Sequence, residues 1–590
     1  MGMPGSVRPR NVGRSRGRKW RSSPVFRTPR IDRFRIPSWV FLGLLLTAWL
    51  VLLPASAKPW ELIPGDGATP DLQGTAQYHW LTHERGLVGV SSSRMQMYPA
   101  TVDRLAFSGV PLDGLASWPF VKALGWPAGF TVFWVVVLWG LGVAYAWLAG
   151  AWWGSPVAAF VGGVLAQTSA PLLRELHYGR PTQVFAAIFF PLALGWFARA
   201  LTSNSHKDAL CAGFALALCA LSYWFFGFFC ALAMLVIWGC TLIEGRPTRK
   251  VVGFTALSAG LPTFLPAAYT FAALKLEPSM NLGLKSVFLH EGQKTTLSQV
   301  LERSDLWSQI PQGLIAFLPF VFVLVVCGFV RQRASQRTVP MIWILVGLLL
   351  AMGPWLFTIG GVQVPGPWQV ITEIPVLRRL WWPDRAMIVA VAGTVVLGAG
   401  GAAWGWEQLQ KSARFQHLKM GGVYFSVGIA SCLIIEAMVG LNTLPMPATQ
   451  ATVSERAAVL SKRTGPLLIL PQAAGPYREG RQMLFDQIHH GRPLVNGVFT
   501  SGSSTPTATR DLAAIPPLSH LQRCASQPDA AYAHDAELGR KTLRGLGITT
   551  VYVDGSAFPE GKADSAYLSC VAELLGSPAS QDGVFQIYPL

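Results

Sequence analysis

Ala128-Gly-Phe-Thr-Val-Phe-Trp-Val-Val-Val-Leu-Trp-Gly-Leu-Gly-Val-Ala-Tyr-Ala-Trp-Leu-Ala-Gly150 decides the class of fold. The stretch carries no charged side chain, and as a helix rising about 1.5 Å per residue it covers the roughly 30 Å of a bilayer's hydrocarbon core. Outward from it, similar apolar runs recur between Ile36 and Leu441. A segment in lipid must satisfy its backbone hydrogen bonds internally, so each run reads as a helix, and chemistry belongs in the loops or in cavities between helices. Eleven spans are expected, at 36–53, 128–150, 154–173, 183–201, 207–222, 223–243, 251–274, 311–330, 339–357, 385–406 and 420–441.

Composition agrees. Charged residues make up 13% of the chain, about half the usual share of a soluble domain, which excludes an ordinary soluble globular fold. The net charge of +18 does not point to nucleic acid, because residues 1–35 hold eleven Arg or Lys against the single acid Asp32 and so account for +10 of it. Lying directly before the first span, residues 1–35 read as a disordered basic cytoplasmic tail that sets orientation and rests on anionic head groups. No aromatic or fold signal of nucleic-acid recognition accompanies it. Ala55-Ser-Ala57 resembles a cleavage site, but the preceding run is long enough to span and reads as retained.

Basic residues should gather on the cytoplasmic side. They lie in Glu244-Gly-Arg-Pro-Thr-Arg-Lys250, in Arg331-Gln-Arg-Ala-Ser-Gln-Arg337 and between Gln408 and Lys419, so the loops at 54–127, 174–182, 275–310 and 358–384 and the tail from 442 are expected outside. That ordering depends on dividing 207–243 into two helices; a single helix would place the tail in the cytoplasm.

The transmembrane region 36–441 gives way to a tail, 450–590, of different character. Gly465-Pro-Leu-Leu-Ile-Leu-Pro471, Gly547-Ile-Thr-Thr-Val-Tyr-Val-Asp554 and Val584-Phe-Gln-Ile-Tyr588 read as strands, and 481–490, 535–546 and 563–575 as helices. The tail is thus a small α/β domain with its own core. Six of the eight cysteines fall in spans and read as packing residues, whereas Cys524 and Cys570 lie in the tail and are a disulfide candidate if that compartment is oxidising.

The first loop, 54–127, is the best place for chemistry. In Pro64-Gly-Asp-Gly-Ala-Thr-Pro-Asp71, Asp66 sits between two glycines shortly after a span, where a carboxylate can serve as general base or orient a cation against a phosphate. The competing reading makes Asp66 and Asp71 turn residues, as Asp beside Gly and Pro usually is. Arg174-Glu-Leu-His-Tyr-Gly-Arg180 and Leu377-Arg-Arg-Leu-Trp-Trp-Pro-Asp-Arg385 can bring guanidinium groups to the same surface, suited to phosphate oxygens, or can simply anchor helix ends. Glu436 is the one acid well inside a run, close to its outer end.

These pieces resemble the GT-C class of membrane glycosyltransferases, and more narrowly a bacterial branch with a C-terminal extracytoplasmic domain. The similar stretches are Gly65-Asp66 with Asp71, Leu176-His177 with Gln183 and Phe190-Pro-Leu-Ala-Leu194, Leu221-Ser-Tyr223 with Gly227, Met352-Gly-Pro354, Arg379 to Arg385, Gln487-Ile-His-His-Gly-Arg-Pro-Leu-Val-Asn-Gly497 and Leu546-Gly-Ile-Thr-Thr-Val-Tyr-Val553. The resemblance implies inverting transfer of a sugar from a polyprenyl-phosphate donor to an acceptor outside the membrane. It makes Asp66 the general base and Asp71, His177, Arg180, Arg379 and Arg385 the substrate-binding candidates. Members of the class often carry an adjacent acid pair in this loop; here Asp66 has Gly on both sides, so a divalent metal, with Asp66 as its ligand, is left open.

The expectation is an eleven-span helical protein of the bacterial cytoplasmic (inner) membrane with an external α/β cap. It would move sugar from a polyprenyl-phosphate carrier to a glycan, lipid or protein acceptor of the envelope, in contact with membrane lipids. A transporter or lipid flippase is the first rival, though internal repeats, matched broken helices and midplane charges are not evident. A non-catalytic envelope scaffold is the second. Walker, zinc-spacing, Rossmann and nucleophile-elbow motifs are missing from any suitable context.

Overall fold

A computed structural model describes residues 34–590 except 68, 92–93, 97, 100–111, 246–247, 277–319, 354, 360–361, 374–382, 413–419, 441–443, 472–478, 496–513, 525–526, 529–530, 533 and 559–562. The first two thirds are helical, most of the helices apolar and α2 and α6 carrying charged residues: α1 (Ser38–Val51), α2 (Pro70–Ser91), α3 (Leu112–Leu124), α4 (Ala128–Trp153), α5 (Pro156–Gln167), α6 (Ala170–His177), α7 (Pro181–Ser203), α8 (His206–Ser222), α9 (Trp224–Ile243) and α10 (Arg249–Leu276). After residues 277–319 come α11 (Phe320–Arg331), α12 (Ala334–Ala351), a hairpin of β2 (Trp355–Ile359) and β3 (Val362–Pro365), α13 (Pro367–Glu373), α14 (Met387–Gln410) and α15 (Gly421–Ile435). A short β1 (Leu62–Pro64) precedes α2.

Five of the described helices are long and apolar enough to cross a membrane, or six if α5 and α6, bent by 41° at their junction, form one span. The other expected spans hold shorter, more polar or proline-bearing helices; α10, for example, contains Pro262 and Pro266. The division at 207–243 is real: α8 and α9 are separated by Tyr223 alone, whose backbone is extended. The expected span at 311–330 falls partly outside the described residues.

The centre of the bundle is α14. Its glycines let neighbours approach to backbone contact: a Cβ on Gly401 would lie 2.0 Å from the Leu324 carbonyl oxygen of α11, and one on Gly393 would lie 2.4 Å from that of Pro340 on α12. Gly398-Ala-Gly-Gly401 is therefore a packing seam. Gln167, buried among apolar neighbours, donates to the carbonyls of Leu44 and Leu138 at 3.0 and 3.1 Å and so ties α5 to α1 and α4.

The tail comprises β4 (Ala448–Gln450), α16 (Glu455–Ser461), β5 (Leu468–Leu470), α17 (Glu479–His490), α18 (Pro516–Arg523), α19 (Ala536–Gly545), β6 (Thr550–Asp554), α20 (Ser565–Leu575), β7 (Ser580–Asp582) and β8 (Phe585–Pro589). Four strands make one sheet in the order β5-β6-β8-β7, with β5 parallel to β6 and the remaining pairs antiparallel. Alternation assigns its two faces: Leu468, Leu470, Val551 and Val553 pack towards α18–α20, while Ile469, Tyr552 and Ile587 pack with Leu460 and Leu484 of α16 and α17. Cys524 and Cys570 are bonded to each other with their Cα atoms 5.7 Å apart, joining the end of α18 to α20. The remaining strand, β4, pairs antiparallel with β1 of the first loop.

Candidate functional site

Asp66 occupies a turn between β1 and α2. Gly65, with φ of 109°, adopts a conformation that side-chain-bearing residues avoid, and this reverses the chain. The Gly65 N–H donates to the Pro447 carbonyl at 2.8 Å, and the Asp66 N–H to the His177 carbonyl at 2.9 Å. Thr69 closes the turn, its N–H and hydroxyl both reaching the Asp66 carbonyl, at 2.9 and 2.6 Å. The backbone of Asp66 is thus a turn, as the bland reading holds. It is also clamped to the end of α6, where the charged residues collect.

Six charged side chains meet there. Asp71, in the first turn of α2, accepts from Arg180 Nε at 2.7 Å and Nη2 at 2.6 Å. Arg180 reaches Glu175 with Nη1 at 3.2 Å, and Arg385 Nε lies 3.8 Å from the other oxygen of Glu175. The Arg385 guanidinium also rests on the rings of Tyr223 and Phe225, 4.9 and 5.2 Å from their centroids. Arg174 pairs with Asp384. Burial works against the Arg180 charge, but Glu175 and Asp71 outweigh it and push that guanidinium upward. Tyr223 belongs here because the break between α8 and α9 falls on it.

Of the residues expected from sequence, Asp71, Arg180 and Arg385 meet through Glu175, and the backbone of Asp66 is bonded to the carbonyl of His177, whose ring lies edge-on to Tyr178. Arg379 lies outside the described residues. Glu175, Asp384, Tyr223 and Phe225 were not foreseen as partners, although the first three stood inside quoted motifs, and an acid set between two arginines, as Glu175 is between Arg174 and Arg180, is itself a signal.

Behind the cluster a buried network braces α2. Asp113 of α3 accepts from Thr182 of α7 at 2.5 Å and pairs with His79 of α2 at 2.9 Å, and Ser117 lies 3.1 and 2.9 Å from His79 and His83. Burial would raise the Asp113 carboxyl, but His79 and the hydrogen bonds hold it below its usual range; burial, helped by His79, pushes His83 down to about 4.

The tail faces the same loop. Gln73 donates to the Gly67 carbonyl at 3.0 Å and to Gln482 of α17 at 2.7 Å, and Gln77 donates to Gln487 at 2.8 Å. Gln487 in turn donates to the carbonyls of Met95 and Arg492. Among the described residues, His520, Cys524 and Cys570 are close enough to share a metal ion, but the two sulfur atoms are bonded to each other.

ArnT from Cupriavidus metallidurans in its apo state superposes with a TM-score of 0.52 at 12% identity, over 93% of this chain and 97% of that one. The chain has the GT-C fold. It is a multi-pass membrane protein. ArnT bound to undecaprenyl phosphate gives 0.49 at 13% identity over 93% and 97% of the two chains. The oligosaccharyltransferase AglB of Archaeoglobus fulgidus, in complex with an inhibitory peptide and a dolichol-phosphate, gives 0.41 at 12% identity over 88% and 70%. No family model matches the chain, and no curated protein matches it in sequence.

Proposed function

We propose that this protein is an integral membrane glycosyltransferase that moves a sugar from a polyprenyl-phosphate donor to a cell-envelope acceptor, working in the bacterial cytoplasmic membrane with the first loop and tail outside. The observation that carries the reading is the convergence, at the ends of apolar helices, of the Asp66 turn with Arg180 and Arg385. A donor of this kind keeps its prenyl chain in hydrocarbon and its phosphate at the surface, which is where these charges stand. ArnT, whose fold the chain shares, has been captured with undecaprenyl phosphate.

Asp66 takes the proton of the acceptor hydroxyl as its oxygen attacks the anomeric carbon. The bond from that carbon to the phosphate oxygen breaks on the opposite face, inverting the configuration and releasing polyprenyl phosphate. Arg180 and Arg385 stabilise the leaving phosphate, with His177 and Arg379 as further phosphate-binding candidates on the resemblance, while Asp71 and Glu175 orient the arginines. The test is mass profiling of surface glycans and lipid-linked sugars in a deletion strain carrying wild-type or Asp66→Asn protein at matched expression. Wild type should restore a missing sugar mass and Asp66→Asn should not; full restoration by the variant removes Asp66 from the chemistry.

A further inference from the structure

We propose that the tail is part of the Asp66 site and that Thr449 of β4 is a positioning residue for it; this rests on the role given to Asp66 above. β1 ends where the Asp66 turn begins, and its partner β4 sets Thr449 opposite Ile63. The Thr449 hydroxyl donates to the Gly65 carbonyl at 2.8 Å, while the Gly65 N–H donates to Pro447 at 2.8 Å. Both backbone polar groups of the residue before Asp66 are therefore held by the first residues of the tail. The next N–H, that of Asp66, is held by His177 at the end of α6.

The fit is steric as well. A Cβ on Gly67 would fall 2.7 Å from Thr449 Cγ2, so the threonine side chain fills the notch left by that glycine. A second line of bonds reaches the same turn from deeper in the tail. The Gly67 carbonyl accepts from Gln73, Gln73 donates to Gln482, and α17, which carries Gln482, is fixed through Asp486 to Arg456 and thence to Asp554 at the end of β6. The position of Asp66 is thus referenced to the tail's sheet as much as to the membrane helices. A general base must sit within hydrogen-bond reach of the proton it takes, and a displacement of about 1 Å costs on the order of 100-fold in rate. Gly65, with its wide conformational freedom, needs such holding.

Thr449→Val removes the hydroxyl at nearly constant shape, and Thr449→Ser keeps it. In full-length protein in detergent, hydrogen–deuterium exchange of the 62–73 segment should quicken about fivefold in Thr449→Val, the worth of one neutral hydrogen bond, and remain near wild type in Thr449→Ser. Sugar restored in the deletion strain should fall tenfold or more with Val and recover with Ser, while the melting temperature and the exchange of the tail's sheet stay unchanged. Wild-type exchange and activity in Thr449→Val overturn the proposal, and so does equal impairment of Val and Ser, which assigns the residue to packing. If Val quickens exchange while Asp66→Asn stays fully active, the positioning holds and the base role of Asp66 falls.

Discussion

Glu175→Gln should move stability and anion affinity in opposite directions. Glu175 is nearly buried and stands between two arginines, 3.2 Å from Arg180 and 3.8 Å from Arg385. At an effective dielectric constant of about 20, each of those 3.2 and 3.8 Å separations is worth roughly 4 to 5 kcal/mol of attraction before desolvation. Burying the carboxylate consumes most of that sum, and the amide keeps an acceptor oxygen, so the net loss of stability should be about 2 to 3 kcal/mol. The ion-pair network of Arg174, Arg180 and Arg385 with Asp71, Glu175 and Asp384 is balanced in charge; neutralising one acid leaves one positive charge unmatched. Binding of undecaprenyl phosphate in micelles, measured by thermophoresis, should then tighten by about fivefold to tenfold, near 1 kcal/mol. A melting curve in the same detergent should shift down by a few degrees. Weaker lipid-phosphate binding, or no change in either quantity, refutes the view that the arginines hold phosphate in competition with Glu175.

Two other outcomes follow from groups outside the spans. Burial and the neighbouring positive charge of Arg492, His489 and Arg456 push His490 down to about 3, and His83 is pushed to about 4. Both are neutral in the fold, whereas the unfolded chain takes up protons below about 6.5, so their contribution is complete above that pH and is lost as pH falls towards their folded values. Each can lose about 2 kcal/mol by pH 5; with His83 discounted for partial exposure the total is about 3, and His490→Asn should remove about two thirds of the shift between melts at pH 7.5 and 5.0. The Cys524–Cys570 bond closes a loop of 46 residues, for which chain entropy assigns about 4 kcal/mol. Reductant should lower the tail's unfolding midpoint, and a curve indifferent to dithiothreitol argues against that contribution.

Much of this was legible because it was local. Residues 465–471, 547–554 and 584–588 alternate or cluster apolar residues between Gly and Pro, and they became β5, β6 and β8. Apolar length marked α4, α7, α9 and α14 without reference to any neighbour. The site was legible only as a list of residue types. Arg180 meets Asp71 across 109 residues, and Thr182 meets Asp113 across 69, and no periodicity encodes such pairings. Arg385 stacks on Tyr223 because α8 and α9 break there, which depends on how both helices pack. The part played by β4 was hidden for a further reason: three residues at the edge of a domain carry no pattern of their own.

The pairing of β1 with β4 also constrains how the chain is threaded. Two strands joined by hydrogen bonds must lie on the same face of the bilayer, and so must Gln77 and Gln487, which share a bond of 2.8 Å. Whatever happens between Ala128 and Ile435, the polypeptide has to return to the side it left, so the number of crossings in that interval is even. Insertion or loss of a single span there would do more than reverse the tail: it would leave the loop that carries Asp66 without half of the contacts that shape it, coupling correct insertion of the whole bundle to assembly of one small turn.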